Sequence, residues 1–460
     1  MKMSVNDDTG ERALLELGTV CDALAATPGA DEWQVEALVT HERQAYRIGE
    51  REEARRAVKT ELARVEVHNN HEPHDSEGLG LARGTATLRL LPGDIADGER
   101  LRARLRDAVT IASQTDSPPY PLPSMPDDSF PEVETSDPLL TGDVSAALED
   151  ALARLQTAVH SWSSVRLSSA ELYAGRRSRL LRNSRGLAGI SRGTSIFLDF
   201  VLIAQEGQRE AEFHAELQRN RLADLMIEST VDAYATFARH SVYATAPGQH
   251  TGPVILSGEA LSSFFTPVIF NTSAQALYQK LSRLKQGEHL VGEEPRGDRI
   301  TLISDARRPF GTRTAPFDRE GLPARTIPVV VDGVFERPWA DTRYATYLGV
   351  PATGAFANLT IPVGAWPLDA LRSAVDGPVY EIVSFSWMSP DPITGDFSSE
   401  IKLGYRHDAQ GTAPIKGGAL SGNVFSALTD ARLSTEAYSD GTYSGPSAIR
   451  FGTLAIAGEA

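Results

Sequence analysis

The densest set of metal-ligating side chains in the sequence is the run His68-Asn69-Asn70-His71-Glu72-Pro73-His74-Asp75. Imidazole and carboxylate together suit zinc and its first-row neighbours. A spacing of three does not put ligands on one face of a strand, where alternate residues share a side. Pro73 and the two asparagines predict a polar loop joining two strands, so the run reads as a hairpin end and not as a catalytic metal centre. His289, followed by Glu293 and Glu294, lies in a charged, glycine-containing stretch that reads as a solvated loop. Cys21 is the single cysteine. It excludes an internal disulfide and any multi-cysteine zinc cage. Apolar neighbours at helical spacing predict a buried, structural thiol. Neither H-E-x-x-H nor H-E-x-x-x-H occurs, nor a G-x-S-x-G elbow, nor a phosphate-cradling G-x-x-x-x-G-K-[ST]. Ser257 and Ser421 precede glycines, but no base is identifiable for either.

Elements that could position such residues divide the chain in two. Arg12–Ala26 predicts an amphipathic helix bearing Leu14, Leu15, Leu17, Val20 and Leu24. Trp33–Arg47 predicts a strand, Glu50–Arg64 a charge-rich continuation of unassigned form, Gly80–Leu91 a strand and Asp97–Ala112 a helix. Seven prolines between Ser117 and Pro138 predict an extended connector, because proline fixes φ and removes a donor. Val144–His160 reads as a helix. Ser164–Val201 reads as strands around an Asn183-Ser184-Arg185-Gly186 turn, and Arg209–His240 as a long helix broken once at most. Beyond Gly252 the composition turns to glycine, proline and short β runs, with Leu261–Leu284 a predicted helix and Asp332-Gly333 a hairpin turn. The expected fold is α+β in two domains: a mixed α/β domain over residues 1–245, carrying the connector 117–138, and a β-rich, barrel-like domain over 246–460.

The 460 residues exceed what one core supports, since single cores stop growing near about 250–300 residues. With 41% hydrophobic and 23% charged residues the balance is that of a globular protein. A net charge of −16 disfavours nucleic-acid phosphates and anionic membrane surfaces as partners. Met1–Arg12 lacks an apolar signal core, and no run of 18 apolar residues occurs; a cytoplasmic location is expected.

Asn183–Gly186, Phe317–Arg325, Ile327–Asp341, Asp391–Ser398, Lys416–Asn423 and Gly445–Gly458 together resemble segments of the TldD/TldE (PmbA) family. Phe317-Asp318-Arg319-Glu320-Gly321-Leu322-Pro323-Ala324-Arg325 is similar to its FDDEGVPT segment, and Ile327–Asp341 to the strand–DGV–strand that follows. Asp391–Ser398 (DPITGDFS) resembles the NPVTGDFS of the TldE side. Lys416–Asn423 resembles EGITIAGN, Gly445–Gly458 the closing PSLLIEGLTIAG, and Asn183–Gly186 an NSxG turn. The resemblance implies a peptidase frame. Its TldD half carries H-E-x-x-x-H on a helix, which holds Zn²⁺ and a general base, and uses a cysteine ligand in the C-terminal domain. The matching stretch here, Val254–Phe265 (VILSGEALSSFF), has no histidine, and Cys21 lies at the other end of the chain.

What the resemblance implies is a non-catalytic TldE/PmbA-like subunit with no catalytic residue, no metal ligand and no cofactor of its own. Zinc would sit in a TldD-like partner of a heterodimer acting on peptides in proteolysis or peptide maturation. Asp318, Glu320, Thr394, Asp396 and Ser398 are the residues expected to serve a substrate channel or subunit interface. Asp318–Glu320 also reads as a self-paired exposed turn, and Thr394-Gly395-Asp396 as a turn whose carboxylate binds its own backbone. The alternatives are a stand-alone peptide-modifying hydrolase with an unrecognised site and a homodimeric peptide-binding protein.

Overall fold

The computed structural model of the chain describes residues 8–74, 80–291, 296–373 and 377–458, with side chains described from residue 16 onward. The readings placed on Leu14, Leu15, Asp75, Glu293 and Glu294 lie outside these residues.

Six long antiparallel strands build the first sheet: β1 Glu32–Ile48, β2 Arg51–His71, β3 Ala82–Leu90, β4 Val165–Asn183, β5 Ala188–Glu206 and β6 Arg209–Arg219, in the order β3-β2-β1-β4-β5-β6. The charge-rich run after Glu50 is therefore strand β2, turned back on β1 at Gly49, whose φ of 58° suits glycine. Helices cover one side of the sheet. Asp8–Ala25 and Gly98–Ala112 share a core with β1–β3 through Leu24, Leu101 and Leu105. Val144–His160 and Ile227–Tyr243 share another with β4–β6 through Leu152, Phe200, Phe213 and Val231.

The long helix expected over Arg209–His240 is corrected by the structure. Ala211, Phe213, Ala215 and Leu217 alternate with charged residues, a period of two, and this stretch pairs with β5 as an edge strand. After a 3-10 turn at Leu222–Leu225 and a left-handed Met226 with φ of 44°, the α-helix begins only at Ile227. Leu261–Leu284 likewise divides into three short helices, Ala260–Phe264, Thr266–Asn271 and Ala274–Tyr278. Pro267 supplies no N–H to continue the first helix, and Ser273 caps the third by accepting from the Ala276 N–H.

In the C-terminal half five strands close into a barrel: β7 His250–Ser257, β8 Val379–Phe385, β9 Asp396–Asp408, β10 Ala419–Asn423 and β11 Ala448–Ala457. The circuit runs β8-β7-β11-β10-β9 and returns to β8; the β7–β8 pair alone is parallel. A second six-stranded sheet contains Leu302–Asp305, Thr326–Val331 and Val334–Phe335, and it shares the apolar core of Leu256, Phe264, Val329, Phe335 and Phe451 with the barrel. Asp332 and Gly333 both have positive φ (48° and 80°), as the hairpin reading requires. The fold class is α+β, with a closed β-barrel in the C-terminal half. Among the described residues no helix is long and apolar enough to cross a membrane.

Residues 117–137 form neither helix nor strand, as the prolines predict. The segment is nevertheless pinned along its length and joins the two halves. Tyr120 and Leu122 are buried, and the Pro118 and Pro123 carbonyls accept from Tyr347 Oη and Asn183 Nδ2. Phe130 packs on Phe317, and the Glu134 carbonyl accepts from the Phe310 N–H.

Candidate functional site

Val254–Phe265 is built as a strand, a tight turn and one helical turn. Val254, Leu256, Leu261, Phe264 and Phe265 are fully buried in the barrel core, which fixes the unit rigidly. Gly258 makes the turn with φ 60°, and its N–H donates to the Ser447 carbonyl at 2.9 Å. Glu259 is the unit's one ionisable side chain. Its Oε1 accepts from Ser384 Oγ and its Oε2 from Tyr234 Oη, each at 3.1 Å. Burial first, then the Glu259 charge, pushes the Tyr234 phenol well above its ordinary range, so it stays a donor. Burial pulls Lys402, also beside Glu259, below the usual lysine value. The unit's one carboxylate is thus held by two hydroxyls.

On the other side of the turn opens a cleft of about 780 Å³. Its wall carries Ser257, Arg372, Glu381, Tyr405 and His407. Glu381 is 2% exposed in the middle of strand β8. It accepts from Arg372 through both oxygens (2.7 and 3.0 Å), from Ser257 Oγ at 2.7 Å, and pairs with His407 Nε2 at 3.0 Å. Burial alone would raise this carboxyl, but hydrogen bonds from His407, Arg372 and Ser257 outweigh it and carry it down to about 2. The order of contacts decides the chemistry. Both the serine and the histidine end on the glutamate, so no imidazole reaches Ser257 Oγ as in a nucleophile–base–orienter relay. A carboxylate this acidic is also a weak base near neutrality. The arrangement ties β7, β8, β9 and the helix Leu368–Arg372 together and leaves a polar wall that can orient a ligand.

Asp318 is not an exposed, self-paired turn residue. Its Oδ1 accepts from the Glu320 and Leu322 N–H groups at 2.9 Å each, and its Oδ2 from the Ala355 N–H at 3.0 Å. The segment is gripped from the first sheet: Arg179 donates to the Phe317 and Asp318 carbonyls at 2.6 Å each, lies over the Phe317 ring, and Gln34 donates to the Arg319 carbonyl at 3.0 Å. Glu320 accepts from the Thr342 N–H at 2.8 Å, and burial pushes its carboxyl up to about 7. This motif docks one half of the chain on the other.

In the second motif the backbone-binding carboxylate is Asp391, which accepts from the Ile393 and Thr394 N–H groups, and not Asp396. Asp396 and the Thr394 carbonyl instead hold Asn423 Nδ2 at 2.8 Å each, stapling β9 to β10. Thr394 and Asp396 are exposed, as is Ser398, two residues along the same strand face.

His68, His71 and His74 do not converge. His68 is buried, bonded through Nδ1 to Thr85 at 2.9 Å, and burial with Arg83 and Arg343 pushes its imidazole down to about 3, so it is neutral. His71 and His74 instead meet Asp116, 42 residues beyond His74. Sequence reasoning missed Asp116 and the Glu381–His407–Arg372 cluster. Glu381 had a legible signal, a lone acid inside the apolar run VYEIV; Asp116 had none.

The profile of the PmbA/TldA metallopeptidase C-terminal domain matches residues 249–458. A crystal structure of TldE from Thermococcus kodakarensis superposes with a TM-score of 0.76 at 18% identity, covering 96% of this chain and 99% of that one. A Thermotoga maritima protein described as a candidate modulator of DNA gyrase gives 0.77 at 18% identity, covering 96% and 100%. At these identities the likeness speaks for the fold. In sequence, an uncharacterized protein of Methanocaldococcus jannaschii is 24% identical over 213 residues (45% of this chain, 51% of that protein). A zinc metalloprotease TldD homolog of Saccharolobus solfataricus is 23% identical over 256 residues (52% and 57%). The chain spans little more than half the length of these two relatives. With the profile lying on residues 249–458, the barrel half belongs to the PmbA/TldA metallopeptidase C-terminal domain family, and the fold of the whole chain matches that of TldE.

Proposed function

We propose that the chain is the non-catalytic, TldE/PmbA-like subunit of a two-chain zinc metallopeptidase. A TldD-like partner supplies the zinc and the general base, and this chain completes the peptide-binding chamber for proteolysis or peptide maturation in the cytoplasm. One observation carries the reading. The strand–turn–helix unit Val254–Phe265 is built with its apolar side chains buried, but it contains no histidine, and its sole carboxylate, the exposed Glu259, accepts from Tyr234 and Ser384. Zinc bound by imidazoles needs two or three of them converging on one point. The exposed Thr394, Asp396 and Ser398 on the barrel supply polar groups for the partner or the peptide. An extended peptide suits a β-rich frame, because backbone pairing tolerates many sequences.

The test is co-expression with a TldD-like chain from the same organism, followed by size-exclusion chromatography with mass measurement. The reading expects a stable heteromeric complex, weakened by charge reversal at Asp396. Two chains that elute separately at micromolar concentration, each as its own homomer, overturn it.

A further inference from the structure

We propose that His71, His74 and Asp116 form a binding site for one divalent transition-metal ion, with Zn²⁺ its occupant and water completing the coordination. The site lies where β2 leads over to β3, at the joined end of that hairpin in the first sheet, and is independent of the reading just given. His71 Nε2 and His74 Nδ1 both approach the same oxygen, Asp116 Oδ1, at 3.0 and 3.1 Å, and the three donor atoms lie within 4.8 Å of one another. Ligands bound at about 2.1 Å to one ion lie about 3.0 Å apart at octahedral angles and about 3.4 Å apart at tetrahedral angles. The two nitrogen–oxygen distances already match such edges.

The hydrogen bonds behind the ligands make the stronger argument. Asn69 Nδ2 donates to the Gly29 carbonyl at 2.9 Å, which orients the amide so that its Oδ1 faces His71 Nδ1 at 3.1 Å. An amide oxygen only accepts, so Nδ1 must carry the hydrogen. In neutral His71 that leaves a lone pair on Nε2 aimed at a carboxylate oxygen 3.0 Å away. A proton on Nε2, making an ordinary ion pair, satisfies these two atoms, and so does a metal ion between them. A bonded second nitrogen with the first aimed at a shared point is the usual arrangement behind a metal-bound imidazole.

Access and anchoring are both suitable. His71 and Asp116 are 15% and 12% exposed, whereas His74 is 53% exposed and can adjust. Asp116 is held by the His74 N–H on its other oxygen at 2.8 Å. An ion here would clasp the hairpin end to the segment that begins the proline-rich strap.

The test uses the full chain, stripped with chelator and titrated with Zn²⁺ by calorimetry, with thermal unfolding in parallel. One ion per chain is expected, together with a rise in melting temperature. Replacing the half-exposed ligand, His74→Ala, and the carboxylate, Asp116→Asn, each weakens binding about tenfold or more, and Asn69→Ala weakens it about 10–100-fold. His214→Ala, in the separate Asp199–His214–Glu216 grouping on β5 and β6, leaves it unchanged. The proposal is overturned if stoichiometric binding is absent, if it survives His74→Ala at full affinity, or if it disappears with His214→Ala.

Discussion

Replacing Glu320 by glutamine should stabilise the protein at alkaline pH and leave it nearly unchanged in mild acid. Glu320 Oε2 accepts from the Thr342 N–H at 2.8 Å, an acceptor role that the glutamine carbonyl retains. Burial raises the Glu320 carboxyl from the ordinary 4.5 to about 7, with the nearby Asp318 and Asp341 charges adding. The folded state therefore holds its proton more tightly than the unfolded chain. Stability from this residue is fully present below pH about 4.5 and is lost as pH rises through about 7. At about 1.36 kcal/mol per pH unit, the loss between pH 5 and pH 8 is about 2.5 kcal/mol. Urea unfolding of wild type and Glu320→Gln at both values measures it directly. The variant should be about 2 kcal/mol more stable than wild type, relative to its own position at pH 5, once pH 8 is reached. An equal effect at the two pH values, or destabilisation at pH 8, refutes the reasoning.

Other expectations follow from single contacts. Glu381→Ala leaves Arg372 and His407 without their shared carboxylate and should cost about 3 kcal/mol in chemical denaturation near neutrality. Because Glu381 sits at about 2 when folded against an ordinary 4.5, its contribution is present above pH about 4.5 and lost as pH falls through about 2, so the deficit should shrink in strong acid. Cys21 is buried, and burial raises its thiol to about 11. A thiol-reactive chromophore at pH 8 should label it only after unfolding, whereas rapid labelling of the native chain counts against its placement. A Cβ at Gly84 would lie 1.6 Å from the Ala112 carbonyl oxygen, so Gly84→Ala should destabilise by about 1–3 kcal/mol, readable as a lower urea midpoint.

Local patterning made most of the elements legible. Val144–His160, the β4–β5 hairpin around Asn183–Gly186, and the Asp332-Gly333 turn stand where periodicity and turn chemistry place them. Arg209–Arg219 was misread because Glu, Arg, Gln and Ala favour helix intrinsically; the alternating apolar residues and an available edge on β5 override that preference. Leu261–Leu284 looks like one helix because apolar residues recur through it, but Pro267 and Ser273 break it twice. At the candidate site, the lack of imidazoles in Val254–Phe265 can be read directly from the sequence. What fills the position cannot, because Tyr234 and Ser384 come from 25 and 125 residues away. Asp318 shows the same limit: its partners Ala355 and, through the backbone, Arg179 lie on other elements, so a motif read as a surface turn is a joint between the two halves.

In the proposed role this polypeptide contributes no catalytic group to peptide hydrolysis. The most direct test is the turnover of a fluorogenic peptide mixture, with zinc present, by the chain alone, by a TldD-like partner alone and by the two combined. Expected are no turnover by this chain alone, turnover by the pair, and an unchanged rate in the pair when Glu259 is replaced by glutamine. Chelator-sensitive hydrolysis by the purified chain alone, abolished by Glu259→Gln, would contradict it.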